Sequence, residues 1–186
     1  MQVTDDVKQL LDEILDVREG GKYTNRPADR GGPTRWGVTL ATLSDYLGRQ
    51  ATVEEVRNLE RATAFDVYLQ LFVTRPRFDA VADPVLRDML IDAGVQHGQR
   101  QAAKWIQTAV RVTADGTLGP VSLAAINAAR PVTLFVSLAA SRLRLYGKLV
   151  AGDPALKAAK VAGFNLQAEN AGGWCNRIAD LLEKAT

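Results

Sequence analysis

At 186 residues the chain is long enough for a sizeable core, in one domain or two small ones. Hydrophobic residues at 47% and charged ones at 24% are ordinary globular composition. A net charge of +2 does not require nucleic acid, though it suits a partner that is an anionic polymer. A single cysteine, Cys175, excludes an internal disulfide and fits folding in a reducing compartment. A single histidine, His97, leaves too few ligands for a zinc amidase.

The opening "MQVTDDVKQLLDEILDV" has acids among its apolar residues and no positive start, so neither a signal peptide nor an anchor is expected. Val7, Leu10, Leu11, Ile14 and Leu15 follow helical spacing, with Thr4 as N-cap and Gly20-Gly21 as the stop. From Gly20 to Gly37 no period holds, which predicts a loop or small hairpin sheet. Thr39 should cap a helix from Leu40 to Leu47, ended by Gly48, and Thr52 to Glu55 is a capping-box pattern. Thr63 is the expected start of a helix carrying Phe65, Tyr68, Leu71 and Phe72 and stopping before Pro76. Asp83 and Pro84 suit the cap and first position of the next. Ala102, Trp105, Ile106 and Ala109 form another apolar face. "ADGTLGP" is a turn into a helix with Pro120 near its start, and three helices complete the chain, the last from about Trp174 to Lys184. "VTLFVSLAASRLRLYGKLVA" is too polar at its centre to span a bilayer and reads as a core helix. The expected fold is mainly α, helical with a small β-hairpin or loop insert after the first helix.

Glu19 stands out. It falls in the last turn of the first helix, on the flank of the apolar face, where the macrodipole disfavours a negative charge. A half-buried carboxyl there should have a raised pKa, as a general acid needs. Asp29 and Thr34 follow in the glycine-rich loop. An acid for the leaving oxygen, a carboxylate across a cleft and a hydroxyl to hold water are the parts for glycoside hydrolysis. Tyr23 and Trp36 can offer apolar ring faces to sugars. Read by spacing alone, which is a weak signal, the same residues are more often a solvated helix end, a turn aspartate and a hairpin threonine.

"EGGKYTNRPADRGGPTRWGVT" closely resembles the signature of glycoside hydrolase family 108, the bacterial and phage N-acetylmuramidases. The resemblance places the catalytic glutamate at Glu19, with Asp29 and Thr34 as partners in the order of phage-type lysozymes. Lys22, between Gly21 and Tyr23, departs from the pattern of many members. Residues 88–128, with Lys-Trp-Ile-Gln and Asp-Gly-x-Leu-Gly-Pro elements, resemble the peptidoglycan-binding region that follows in this family. "GGWCNR" resembles its C-terminal Gly-Trp-x-x-Arg, where Trp174 and Arg177 either line the cleft or stack as a cation–π pair.

The resemblance implies a lysozyme-like fold and a phage-type endolysin that hydrolyses the β-1,4 bond between N-acetylmuramic acid and N-acetylglucosamine. Its partner would be the peptidoglycan glycan strand, with no nucleic acid, stable membrane insertion, metal or cofactor. It would be a monomer made in the bacterial cytoplasm and reach the wall by holin-dependent release. A lytic transglycosylase and a non-catalytic wall-binding protein are the alternatives. Carboxyls about 6.5–9.5 Å apart would give inversion, and about 5–5.5 Å retention; the threonine beside a loop carboxylate favours inversion. One domain over residues 1–186 is expected, residues 1–83 catalytic and residues 84–186 a helical lobe that completes the core. Trp105, Ile106 and Leu118 read as core, as does Cys175, which would have to meet His97 in a Cys-His peptidase.

Overall fold

Helix α1, Asp5–Glu13, presents Val7, Leu10 and Leu11 to the interior. Its last stretch, Ile14–Glu19, widens to a π-helix, closed by a Gly20 N–H donating to the Leu15 carbonyl at 2.8 Å. Gly20 has φ 65°, a conformation that ends a helix at little cost only for glycine. The computed structural model describes residues 4–25, 32–150 and 167–183. These form two compact units, Met1–Arg75 and Pro76–Thr186. The sequence reading places its catalytic and helical parts on either side of residue 83, within one domain.

In the first unit a two-residue turn, Trp36-Gly37, joins β1 (Thr34–Arg35) to β2 (Val38–Thr39). Thr34 pairs with Thr39 and Arg35 with Val38, while Thr24 adds an antiparallel bridge to Thr34. Trp36 at φ 53° and Gly37 at φ 70° are the two positive-φ residues that a tight hairpin of this hand demands. A tryptophan in that conformation is unusual. Thr39 then caps α2 (Leu40–Leu47), its hydroxyl accepting from the Thr42 N–H at 3.1 Å, and left-handed Gly48 ends it.

The capping box forms at the start of α3 (Val53–Arg57), with Thr52 and Glu55 bonded reciprocally. Helix α4 runs Arg61–Tyr68, capped at Glu60. It begins two residues before the expected Thr63, because Arg61 is tied to Asp16 at 2.7 Å and Asp12 at 2.5 Å on α1. It too widens to a π-helix, Leu69–Thr74. The core of this unit includes Val7, Leu10, Leu11, Ile14 and Leu15 with Val38, Leu43, Val56, Ala64, Val67, Tyr68 and Leu71.

The second unit is built around α5 (Pro84–His97), which buries Leu86, Met89, Leu90, Ile91, Asp92 and Ala93 and so has little solvent face. Asp83 caps it, accepting from the Leu86 N–H at 2.8 Å. Helices α6 (Gln99–Ala109) and α8 (Pro131–Val150) pack on α5, and α9 (Gln167–Glu183) packs on α8. Helix α7 spans Pro120–Ala128. Helix α8 is a core helix, burying Leu134, Phe135, Leu138 and Leu149. No single described helix is long and apolar enough to cross a membrane.

Buried Gln107 organises the "ADGTLGP" turn. Its amide nitrogen donates to Asp115 Oδ1 at 2.8 Å, the Thr117 carbonyl at 3.0 Å and Ser122 Oγ at 3.0 Å. Its oxygen accepts from the Gly116 N–H at 2.8 Å. This amide donor, then the Thr117 N–H, holds Asp115 below the usual carboxylate range. Leu118 and Ile106 are buried and Trp105 is half-buried, as expected of core positions. Cys175 is exposed instead, while Ile178 and Leu181 further along α9 are buried.

His97 sits edge-on to Trp105, with ring centroids 5.2 Å apart, and its Nε2 lies 3.1 Å from the Tyr146 hydroxyl. That hydroxyl donates its proton to Gln96 Oε1 at 2.6 Å, so His97 Nε2 is the donor to the phenol oxygen. Burial pushes the His97 pKa down to about 3, helped by Arg142 and Arg177 and opposed by Asp92. The folded pKa is below the ordinary 6.5, so the unfolded chain takes up the proton first. His97 therefore contributes stability above about pH 6.5 that falls away as pH drops towards 3. The imidazole carbon-bound proton resonances should not titrate between pH 8 and 5. A midpoint near 6.5 by NMR would contradict this burial.

Candidate active site

The glycine-rich stretch folds against the end of the first helix through named contacts. Arg35 Nε donates to the Gly21 carbonyl at 3.2 Å, and its Nη1 donates to the Arg57 carbonyl. The Trp36 indole covers Gly21, where an added Cβ would lie 2.5 Å from the ring. Arg57 lies over the Tyr23 ring, 5.3 Å from its centroid. The Tyr23 hydroxyl and the Trp36 indole N–H are buried without a hydrogen-bond partner, an uncommon state for such donors.

Glu19 is the last residue of the π-helical segment and is exposed, not half-buried. The α-helical period would stack it over Leu15 and Leu11. A π step spans five residues rather than four, which takes Glu19 out of that register and off the apolar stripe. The carboxyl group folds over the hairpin turn. A Cβ at Gly37 would lie 2.7 Å from both Cδ and Oε2 of Glu19, and would overlap the Tyr68 hydroxyl. Tyr68, the last residue of α4, is 3% exposed. A carboxyl oxygen and a phenol oxygen thus converge on a spot that only glycine leaves open.

Thr34 donates its hydroxyl to the Gly32 carbonyl at 3.1 Å, while its backbone exchanges two 2.8 Å bonds with Thr24. The site thus joins the first helix, the hairpin and α4. Asp29 lies outside the described residues, as do Arg26 and Arg30, two of the loop's cations. Trp174 falls in α9, its side chain outside the described portion. Arg177 Nε donates to Asp92 Oδ1 at 2.7 Å, which ties α9 to α5. Tyr68 and Gly37 escaped the sequence reading. Tyr68 counted only as one more member of an apolar face, and Gly37 only as a boundary.

Residues 11–98 match the glycosyl hydrolase 108 family, a stretch containing Glu19, Asp29, Thr34, Gly37 and Tyr68. Residues 11–98 thus form a glycosyl hydrolase 108 region. Residues 101–179 match a second family, described as a predicted peptidoglycan domain. The structure of Brucella abortus SagA is similar, with a TM-score of 0.73 and 26% sequence identity over 96% of this chain and 90% of that one. No curated protein matches the sequence. With a glycosyl hydrolase 108 region followed by a predicted peptidoglycan domain, the protein is a glycoside hydrolase that degrades peptidoglycan. The family 108 stretch continues past Arg75 through α5 to Gly98, and the peptidoglycan match begins within α6.

Proposed function

We propose that the protein is an endolysin-type muramidase, cutting the β-1,4 bond between N-acetylmuramic acid and N-acetylglucosamine, with Glu19 as general acid. The observation that carries this reading is the Glu19 carboxyl group, held at a helix end over the hairpin turn while remaining open to solvent. A glycan laid over the turn would displace that solvent. Desolvation would then raise the Glu19 pKa at the moment a proton is needed. Protonated Glu19 gives its proton to the glycosidic oxygen, and positive charge develops at the anomeric carbon.

Asp29 is assigned to stabilise that charge or to orient the attacking water, and Thr34 to assist it. Inversion is the outcome this division of labour favours. Tyr23 and Trp36 would contribute ring surface to the sugars. Because Arg57 covers one face of Tyr23, a sugar would use the other. Trp174 is kept as a candidate sugar contact. Arg177 acts at least as a tie between helices. The mildly basic charge suits a wall polymer bearing stem-peptide carboxylates. A monomer made in the host cytoplasm and released through a holin to the wall fits this role in phage lysis.

Digestion of purified peptidoglycan, borohydride reduction and mass spectrometry test the reading. Hydrated fragments ending in reduced N-acetylmuramic acid are expected. Ends in reduced N-acetylglucosamine would move the cleavage to the other glycosidic bond. Anhydro ends, which resist reduction, would make the protein a lytic transglycosylase.

A further inference from the structure

We propose that Tyr68 is a positioning residue for Glu19, its buried phenol donating to Oε2 so that the transferable proton resides on Oε1. The inference rests on Glu19 being the general acid. Its basis is the Gly37 contact, where Glu19 Oε2 and the Tyr68 hydroxyl crowd the same point beside the turn. The two groups approach it from opposite environments. Tyr68 is 3% exposed and anchored in the core, its ring 5.2 Å from that of Phe72, whereas Glu19 is exposed. A fixed phenol beside an exposed carboxylate is suited to orienting it.

The backbone supports the same conclusion. Glu19 ends one π-helical segment, and Tyr68 immediately precedes the other, Leu69–Thr74. Such segments are rare and concentrate at functional sites. Here both occur where helices deliver side chains to one glycine. Gly37 completes the arrangement, because at φ 70° it suits the turn and adds no side chain between the two oxygens.

The chemical consequence is a division between the carboxyl oxygens. A phenol carries one proton. Donating it to Oε2 occupies one of that oxygen's lone pairs and makes Oε1 the preferred site of protonation. The same bond stabilises the carboxylate, so it lowers the Glu19 pKa in the free enzyme. It thereby sets the upper pH limit of activity, since a general acid must be protonated to act.

The test is a cycle of Glu19→Gln, Tyr68→Phe and the double variant in the full-length protein, assayed on soluble glycan strands across pH. Tyr68→Phe keeps the ring and its packing. Its kcat should fall on the order of 10-fold with KM little changed, and the basic limb of kcat/KM should move up by about one pH unit. Added to Glu19→Gln, the same change should cost nothing further. If Glu19→Gln is inactive but Tyr68→Phe keeps the wild-type kcat and basic limb, the positioning role is wrong and the general acid stands. If Glu19→Gln stays active, the reading of Glu19 fails, whatever Tyr68 does. A Tyr68→Phe protein that loses activity only in proportion to its folded fraction, with the limb unmoved, reduces Tyr68 to a packing residue.

Discussion

Glu19→Gln is expected to lose lysis of permeabilised cells by a factor on the order of 100 or more, with its circular dichroism unchanged. The amide is the size of the carboxyl group and can still accept through its oxygen, so the contact above Gly37 survives. What it lacks is a proton acidic enough for the leaving oxygen. Since Glu19 is exposed, the change should leave the thermal midpoint within a degree or two. Glu19→Asp is a useful companion. It keeps the acid but withdraws it from the turn by one methylene, and misplacement of that size is costly. An active Glu19→Gln enzyme would falsify the general-acid assignment. A loss in both variants with intact folding would separate chemistry from stability.

Local signals carried much of the architecture. Thr39, the Thr52–Glu55 box, Asp83-Pro84 and Gly48 act through bonds within a few residues, and each stands where the sequence puts it. The apolar spacing from Val7 to Leu15 likewise matches the buried face of α1. The misreadings come from longer range. Helix α4 starts at Arg61 because carboxylates some 45 residues earlier hold it. Helix α9 already includes Gln167, well before Trp174, and holds Gly172-Gly173 in its interior. A glycine pair reads as a breaker, but tertiary ties such as Arg177 to Asp92 outweigh a propensity of about 1 kcal/mol each. At the site, the position of Glu19 at a helix end was legible. Its exposure was not, because a π step has no periodic signature in so short a stretch. The partnership with Tyr68 depends on a turn glycine bringing residues far apart in sequence over one Cα.

Asp92→Ala should be the most destabilising substitution outside the active site, costing about 3–5 kcal/mol. Asp92 is fully buried on α5. Its Oδ2 lies 2.6 Å from Arg142 Nη2 as an ion pair out of line for a hydrogen bond, and Oδ1 takes the Arg177 Nε–H. Arg142 is also wholly buried, bonded to Gln96 Oε1 at 2.7 Å and Met89 Sδ at 3.1 Å. Removing the carboxylate strands a guanidinium that cannot shed its charge. The Arg177 side chain is 15% exposed and can turn towards water, so Arg177→Ala should cost clearly less. The paired change Asp92→Leu with Arg142→Met should recover much of the loss, because apolar groups of similar size need no partner. Urea unfolding of the full chain measures this, with the loss confined to the transition of the second unit should the two units melt separately. A single Asp92→Ala change costing under about 1 kcal/mol would mean that water reaches Arg142. The cluster also bears on His97, since Asp92 is the one group of the three charges that favours imidazolium. Without it the imidazole would resist protonation still further, and acid sensitivity traceable to His97 would deepen even as the helices it touches loosen.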